Sequence, residues 1–242
     1  MAWCLGEAVA VALVQQSASL ATFAAGVGTT VTPTLPGGST SGNTLVAMVV
    51  SDSGSDKVDN PAGWSGNAAL SSVVFLRWLP NCGSGITSQV FNNTGAGNWV
   101  GNGAAALFEF SGVDATSADL NEVLTPASGT SWSATTVANM TANNELILVG
   151  WREVFLSATK DSFTATTSGI VQDFAWNQAT KLIGHASFEH KLDSGANSGS
   201  ALTVTETMTD GTGSSRACTI ITFKLASAAT CRRVPANLPF MN

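Results

Sequence analysis

The chain has 242 residues, of which 44% are hydrophobic and only 11% are charged, and its net charge is −6. This length fits one large β domain or two small ones, and it allows a core large enough to fold without a metal ion or a disulfide. The ten basic residues are scattered along an acidic chain, whereas nucleic-acid binding needs a basic face that neutralises phosphates. We therefore expect no nucleic-acid partner.

The N-terminal stretch lacks the features of a targeting segment. Its apolar run, 8–14, is preceded by Glu7 rather than by Lys or Arg, whereas a secretory signal begins with basic residues. No apolar stretch of 18 residues occurs in the chain, so we predict no membrane span. We expect no classical secretion, and we assign residues 1–8 to an N-terminal arm that leads into a first strand.

Short strand patterns separated by turn clusters fill the chain from residue 9 to residue 226. Runs rich in Val, Ile, Thr, Phe and Trp, bounded by Gly, Pro, Asn, Asp and Ser, predict β-strands. The predicted strands are 8–15, 29–35, 44–52, 71–79, 88–93, 104–112, 135–141, 145–154, 169–176, 182–192, 201–209 and 218–226. The best helical pattern is one short turn within 114–124. These patterns predict an all-β chain.

A weak internal repeat relates the two halves of this region. The matching segments follow the same order in each half, 29–50 with 135–151, 73–79 with 186–192, and 106–112 with 221–227. Two sets of four or more strands fit a two-sheet antiparallel β-sandwich, jelly-roll-like, in which each sheet covers the other. One sandwich over residues 9–226 is favoured over two small ones, because no linker separates the halves.

The last segment, 227–242, departs from the strand pattern. It contains two prolines, the adjacent Arg232 and Arg233, and the apolar Phe240 close to its end. Proline does not fit a central strand, because it lacks the backbone N–H that pairs with a neighbour. We predict an extended C-terminal arm that either lies along its own domain or docks on a neighbour, with Arg232, Arg233 and Phe240 as the candidate contacts to a partner or a glycan.

The two histidines, His185 and His190, lie in the stretch LIGHASFEHKLD. In a strand, side chains alternate between faces, so His185 shares a face with Glu189 while His190 lies on the other. The two imidazoles then cannot bind one metal ion, and their spacing differs from that of the helical H-E-x-x-H motif. We predict no metal ion and no catalytic histidine here, and we expect polar side chains on a solvent-facing or subunit-facing sheet surface.

The other sequence patterns that can indicate an enzyme or a metal site depart from the known motifs. The stretch GSTSG, 38–42, has Thr40 in place of the serine of a nucleophile elbow, and it lies between strands. Asp52, Asp56 and Asp59 cluster in one loop, where their oxygens could bind calcium, but the loop lacks the D-x-D-x-D-G pattern and a plain solvated turn is favoured. We predict no catalytic residue, no metal and no cofactor.

The cysteines are Cys4, Cys82, Cys218 and Cys231, and none forms a C-x-x-C pair. This spacing argues against a structural zinc site. Without a signal of an oxidising compartment, free thiols are favoured. A contact between Cys4 and Cys231, near opposite ends of the chain, is the alternative.

Tryptophans raise the question of sugar binding, because their rings stack on pyranose rings. The alternative is that they pack between sheets, as tryptophans in β-sandwiches usually do. Trp78 and Trp151 lie in predicted strands and are expected in the core or in an interface. Packing is favoured for the set as a whole, but Trp99 and Trp132 lie among Gly, Asn, Ser and Thr and are therefore the better candidates for exposed contact with a partner or a glycan.

Several motifs together resemble a widespread β-sandwich family. They are SGNTLVAMVV, NPAGW, the strand ending in RWL, AAALFEFSGVD and the second-half NNELILVGW. Members of that family occur in bacteriophage virion proteins, as decoration, tail, fibre and minor capsid components, and in bacterial surface proteins. The resemblance covers roughly residues 9–226, and its motifs at 42–45, 61–64 and 111–114 concern packing and turns. It therefore implies a fold and carries over no catalytic residue.

The resemblance implies a non-enzymatic structural protein of a phage virion, assembled in the host cytoplasm. A capsid decoration or cement protein is the first expectation, and a tail, baseplate or fibre component is the next. The expected partners are major capsid or tail proteins and further copies of the chain, for example in a trimer.

Two other classes of function make different structural predictions. A lectin-like carbohydrate-binding module, which would attach to a host glycan, predicts two or three tryptophans exposed together. A glycan-degrading enzyme predicts two carboxylates that face each other across a cleft, about 5–9.5 Å apart.

Overall fold

The computed structural model describes residues 10–67, 74–95, 97–127, 129–154, 163–177, 184–192, 195, 198–208 and 215–227. Within these ranges every regular element is a β-strand, which confirms the predicted all-β class. No helix that is long and apolar enough to cross a membrane occurs in this part of the chain. The predicted arms fall outside the described residues, except for residue 227.

The strands alternate with turns throughout both halves. The first half contains β1 (Ala12–Gln16), β2 (Ala21–Phe23), β3 (Thr30–Val31), β4 (Thr44–Ser51), β5 (Ser65–Gly66), β6 (Val74–Leu79), β7 (Phe91–Asn92) and β8 (Gly103–Ser111). The second half contains β9 (Val113–Asp114), β10 (Leu120–Leu124), β11 (Ser131–Asn139), β12 (Leu146–Val154), β13 (Phe163–Ala165), β14 (Val171–Asn177), β15 (Gly184–Lys191), β16 (Ala201–Met208) and β17 (Ser215–Leu225).

The helical turn expected within 114–124 is wrong. Its C-terminal part is β10, which pairs antiparallel with β17 from Leu120 opposite Thr222 to Leu124 opposite Cys218. A partner strand about 100 residues away therefore satisfies the backbone groups that a local helix would have paired. Long-range pairing of this kind overrides a weak local preference.

Two large antiparallel sheets form the centre of the molecule. The first inner sheet has the strand order β1-β8-β4-β6-β5, with β2 also on β8, and the second inner sheet has the order β10-β17-β12-β15-β14, with β9 also on β17. The two orders are equivalent, because β8, β4 and β6 occupy the same positions in the first inner sheet as β17, β12 and β15 in the second. The outer strands follow the same rule, because β3 pairs with β7 and β11 pairs with β16.

The two inner sheets pack face to face around a central apolar layer. Alternate residues of β4, including Val46 and Met48, meet Leu146, Leu148 and Phe188 of the second inner sheet. This pairing of sheets agrees with the predicted sandwich, in which each sheet hides the apolar face of the other. The jelly-roll connectivity stays a prediction.

The outer faces of the inner sheets are also covered. The predicted arrangement of two sheets therefore describes only the central part of the structure. On the first inner sheet, Leu45 and Val49 pack with Phe91 of β7 and with loop residues such as Trp99. On the second, residues of β12 such as Trp151 pack against the outer three-stranded sheet, β11-β16-β13. The structure therefore has additional layers, and the strands in the middle are apolar on both faces.

The inner sheets come close together at Gly150 of β12. A Cβ atom there would lie 2.6 Å from Cγ1 and 2.8 Å from Cβ of Val74 on β6. Beside it, the hydroxyl of Thr219 on β17 donates a hydrogen bond to the carbonyl oxygen of Val74 at 3.0 Å. Glycine is thus required by the approach of a neighbouring side chain.

Replacing Gly150 with alanine should lower the free energy of unfolding by about 1–3 kcal/mol, because the added methyl group must displace Val74 in a packed layer. Urea denaturation measures this loss. Gly83→Ala is the matched control, since no atom lies within 4 Å of its added Cβ, and its effect should stay within about 0.5 kcal/mol. The double variant Gly150→Ala/Val74→Ala should lose less than the sum of the two single losses; simple additivity would contradict the steric explanation.

Candidate functional site

The structure buries both tryptophans that were predicted to be exposed. Trp99 and Trp132 are each 0% exposed, so the predicted exposure is wrong. Trp99 stacks on Phe23 with ring centroids 4.0 Å apart, and Trp132 lies beside Trp151 with centroids 6.1 Å apart. Their polar sequence neighbours belong to loops and a strand that fold over the inner sheets. A polar local composition therefore does not make these two side chains exposed.

The other described tryptophans are buried as well. The predicted core positions of Trp78 and Trp151 are confirmed, and Trp64 and Trp176 are also in the core. The large hydrophobic residues that are exposed in the described ranges are all valines. An aromatic platform for sugar rings is therefore missing from the described residues. Arg232, Arg233 and Phe240 lie outside them and stay predictions.

The alternation predicted for 182–192 is confirmed over the described part of β15. Ala186, Phe188 and His190 lie on the side of the central layer, whereas Ser187 and Glu189 lie on the opposite side, toward Trp151. The expectation that these polar side chains lie on an exposed surface is wrong, because Ser187, Glu189 and His190 are buried. The outer three-stranded sheet covers one face and the first inner sheet covers the other. The side chain of His185 lies outside the described residues.

His190 is held in the central layer by a carboxylate. Its Nδ1 atom lies 2.7 Å from Oδ2 of Asp173 on β14, and its ring meets Phe110 edge to face, with centroids 5.7 Å apart. Within the described residues, no group of three or more His, Cys, Asp and Glu side chains could hold a metal ion. The His190–Asp173 pair is thus a buried structural contact between adjacent strands.

The aspartates of the loop after β4 bind backbone and side-chain groups of the protein. Asp56 is fully buried. Its Oδ1 accepts hydrogen bonds from Nδ2 of Asn93 at 2.9 Å and from the N–H of Val100 at 2.8 Å. Its Oδ2 accepts from Oγ of Ser51 at 2.5 Å and from the N–H of Gly101 at 2.9 Å. Asp56 therefore joins three segments of the first half.

The two neighbouring aspartates point to other partners. Asp52 accepts hydrogen bonds from the N–H and the side-chain amide of Asn102, and burial raises its pKa against the effect of these bonds. Asp59 accepts from the N–H and the side-chain amide of Asn92 at 2.8 and 2.6 Å. The three carboxylates are thus committed to separate partners, which agrees with neither a calcium site nor a plain solvated turn.

The variant Asp56→Ala should lower the free energy of unfolding by about 3 kcal/mol, because it leaves several buried donors without an acceptor. Asp59→Ala is the matched control, since Asp59 is only partly buried and water can replace its bonds to Asn92, so its loss should be nearer to 1 kcal/mol. Urea denaturation of the two variants gives the comparison. Equal losses would contradict the role of Asp56 as the joining residue.

Two glutamates from facing sheets meet in the layer between the second inner sheet and the outer three-stranded sheet. Glu189 on β15 is opposite Val149 of β12 and Gln172 of β14. Glu206 on β16 is opposite Trp132 of β11 and Ala165 of β13. Both glutamates are 0% exposed, because each occupies an inward position of its strand. We call Glu189 and Glu206 the buried carboxyl pair.

The donors around the pair are directed mainly to Glu189. Its Oε2 accepts a hydrogen bond from Nε1 of Trp151 at 3.2 Å, and its Oε1 accepts from Oγ of Ser187 at 2.9 Å. Nε2 of Gln172 in turn donates to Oγ of Ser187 at 2.9 Å. Within the described residues, Glu206 has hydrogen-bonding contacts with the side chains of Glu189 and Ser187, and its oxygens have no further partner.

This arrangement requires a proton. Burial raises the pKa of Glu189, and burial together with the charge of Glu189 raises the pKa of Glu206 well above its ordinary value. The shift favours the protonated form of Glu206, which can donate to the Glu189 carboxylate that Trp151 and Ser187 stabilise as an anion. The nearby Cys218 stays a thiol, because burial raises its pKa well above the ordinary value.

Two carboxyl groups with different pKa values are also what acid–base catalysis uses, one as the acid and the other as the base. Here, however, both groups lie inside a packed layer rather than across a cleft, with Trp132 and Trp151 packed in the same layer. One feature of the sequence points to the pair, namely a single Glu in the inward register of each of two strands. The cover that buries them depends on the outer sheet, which the sequence analysis did not predict.

Cys82 and Cys218 are free and buried, as expected for thiols, and Cys4 and Cys231 lie outside the described residues. No protein-family model, no curated protein and no solved structure matches the chain. Function is therefore inferred from the residues and their geometry.

Proposed function

We propose that the chain is a non-enzymatic structural protein of a phage virion, assembled in the host cytoplasm. A capsid decoration or cement protein is the first choice, and a tail, baseplate or fibre component is the second. The observation that carries the proposal is the use of reactive side chains within the fold. Wherever the structure describes a buried Asp, Glu, His or Arg with its contacts, those contacts are to neighbouring strands and loops.

Arg77 and Glu109 illustrate this use in the first half. The guanidinium of Arg77 donates to the carbonyl oxygens of Val58 at 2.6 Å and Asp59 at 2.9 Å, and burial lowers its pKa to about 10. Glu109 accepts a hydrogen bond from Nδ2 of Asn43 at 2.6 Å. It also accepts from Nε2 of Gln15 on β1 and from the N–H and the side chain of Thr40. Such contacts fix loops and leave these charged groups engaged, which suits a scaffold better than a reaction centre.

The motifs of the resemblance have packing and turn roles in the structure, and this supports the same proposal. The motif at 42–45 opens β4, whose Leu45 is buried. The motif at 61–64 closes a turn in which the N–H of Trp64 donates to the carbonyl oxygen of Pro61 at 2.9 Å. The motif at 111–114 carries the chain from β8 to β9, and thus from one inner sheet to the other.

Gly112 makes that last step possible. Its φ angle is +73°, a conformation that favours glycine, and a Cβ atom would lie 2.4 Å from the carbonyl oxygen of Ala10. A layered β-structure of this kind would act mechanically, by bridging neighbouring subunits through its neutral surface and its terminal arms. The proposed partners are major capsid or tail proteins and further copies of the chain, for example in a trimer. A standard contact of this sort buries roughly 1,200–2,000 Å².

Incorporation into particles tests the proposal. Virions of the phage that encodes the chain should contain it in many copies after gradient purification, as measured by quantitative mass spectrometry, because symmetry repeats each contact. Particles assembled without the chain should regain it when the purified protein is added. Absence from purified virions, or binding to host polysaccharide without incorporation, would contradict the proposal, and the second result would favour the lectin-like alternative.

The terminal arm can be tested in the same assay. Deleting residues 228–242 should reduce occupancy on particles at least tenfold, because the arm is expected to supply apolar and charged contacts. The control variant Lys57→Ala changes an exposed charge on the body of the protein and should incorporate normally. Full occupancy of the truncated chain would show that the arm is not a docking element.

A further inference from the structure

We propose that the buried carboxyl pair is a proton-dependent latch that fastens the outer three-stranded sheet to the second inner sheet. With one shared proton, Glu206 donates to Glu189 and the two sheets stay together. When that proton is lost, two adjacent carboxylates repel each other and the outer sheet loosens. The device belongs to the fold itself and is independent of the proposed function.

The first support is the position of the pair in an otherwise mostly apolar layer. Ile147, Val149 and Ile220 of the second inner sheet pack there against Ala134 and Val204 of the outer sheet. A second ionised carboxylate in such surroundings is costly unless it is hydrogen-bonded or paired with a positive charge. Since each glutamate comes from a different sheet, the cost falls directly on the contact between the sheets.

The second support is the distribution of donors. Trp151 and Ser187 both donate to Glu189, and the single hydrogen of the Ser187 hydroxyl is used there. Among the described residues, Ser187 is the one donor near Glu206, and its hydrogen is already given to Glu189. A proton between the two carboxyl groups therefore satisfies Glu206, and its loss leaves two carboxylates that compete for the single hydrogen of Ser187.

The neighbouring charged groups do not replace that proton. On β14, Asp173 is held by His190, and its negative charge adds to the repulsion at Glu189. On β15, Lys191 extends over Gly169 in the turn before β14. On β17, Cys218 lies close to the pair as a neutral thiol.

Arg216 is an arginine on a strand of this layer. Arg216 of β17 lies 3.6 Å from Glu153 of β12, and its guanidinium is placed over the ring of Trp132 on β11, 5.6 Å from the centroid. The described side chains of β13, Thr164 and Ala165, carry no charge. None of the ion pairs in the described part of the chain includes Glu189 or Glu206.

The direction of the pH effect follows from proton binding. The folded protein keeps a proton on Glu206 at pH values where an unfolded glutamate, with its ordinary pKa of 4.5, has lost it. Stability contributed by this proton is therefore lost as pH rises from about 4.5 toward the raised pKa of the folded state. For one proton, the unfolding constant increases up to tenfold per pH unit over that window.

The variant Glu206→Gln tests the latch, because its amide can still donate to Glu189 but cannot lose a proton. Urea denaturation and hydrogen exchange of residues 201–208, corrected for intrinsic exchange rates, are measured from about pH 6 to pH 9. We expect the wild-type protein to show the rise in unfolding or opening constant, up to tenfold per pH unit, and Glu206→Gln to lose most of it. A variant with the wild-type slope would overturn the proposal.

Glu109→Gln is the matched control, because it also replaces a buried glutamate of a large sheet. Although burial acts to raise the pKa of Glu109, hydrogen bonds from Gln15, Thr40 and Asn43 hold it below the ordinary value. Glu109 is therefore ionised throughout the pH range, and its replacement should change overall stability without changing the pH slope. Loss of the slope in this control would assign the effect to the fold as a whole and overturn the proposal.

A measurement on the wild-type protein remains decisive if Glu206→Gln fails to fold. The infrared carbonyl band of a protonated carboxyl group should be present at neutral pH and should disappear at alkaline pH together with the increase in exchange of residues 201–208. Absence of that band at neutral pH would overturn the proposal.

Discussion

Apolar strands must be kept from water, and in this chain the requirement applies to both faces of each inner sheet. All eight residues of β4 and eight of the nine of β8 are buried, a pattern of sheets that are covered on both sides. The first inner sheet is covered by the second sheet on one side and by β3, β7 and loops on the other. The second sheet needs the outer three-stranded sheet in the same way. Each layer is therefore stable only because the next one is present.

Burial on both faces also decides which polar side chains are rigidly held. Arg152 on β12 donates from Nε to the carbonyl oxygen of Ser51 at 2.6 Å and so connects the halves, while burial lowers its pKa to about 10 against the charge of Asp52. Asp56 has donors for both of its oxygens. The pair of Glu189 and Glu206 differs, because its members depend on each other. Buried groups such as Asp56, whose oxygens all have hydrogen-bond donors, stabilise the fold. The pair of Glu189 and Glu206, which has too few donors for two carboxylates, responds to pH.

The local parts of the fold could be predicted from the sequence, whereas the covering of faces could not. Turn clusters and β-rich runs located most strands, and the alternation in 182–192 correctly separated Glu189 from His190. The exposure predicted for Trp99 and Trp132 failed, because it depended on which segments fold over the inner sheets. The role of Glu206 could not be predicted, because it depends on the contact with Glu189, which lies on a strand of the facing sheet. Periodicity gives the face of a side chain, and only long-range packing determines what lies opposite.

The equivalent strand orders of the two halves have a consequence for how such a molecule can arise. Either half alone would leave the face that contains Val46 or Leu148 in water, and would bury it only by associating with a second copy. The connection through Gly112 replaces that encounter between separate molecules by an intramolecular one, at the high effective concentration that a short tether provides. The present chain thus has two halves of equivalent strand order in one polypeptide, one covered on its outer face by short strands and loops and the other by a three-stranded sheet.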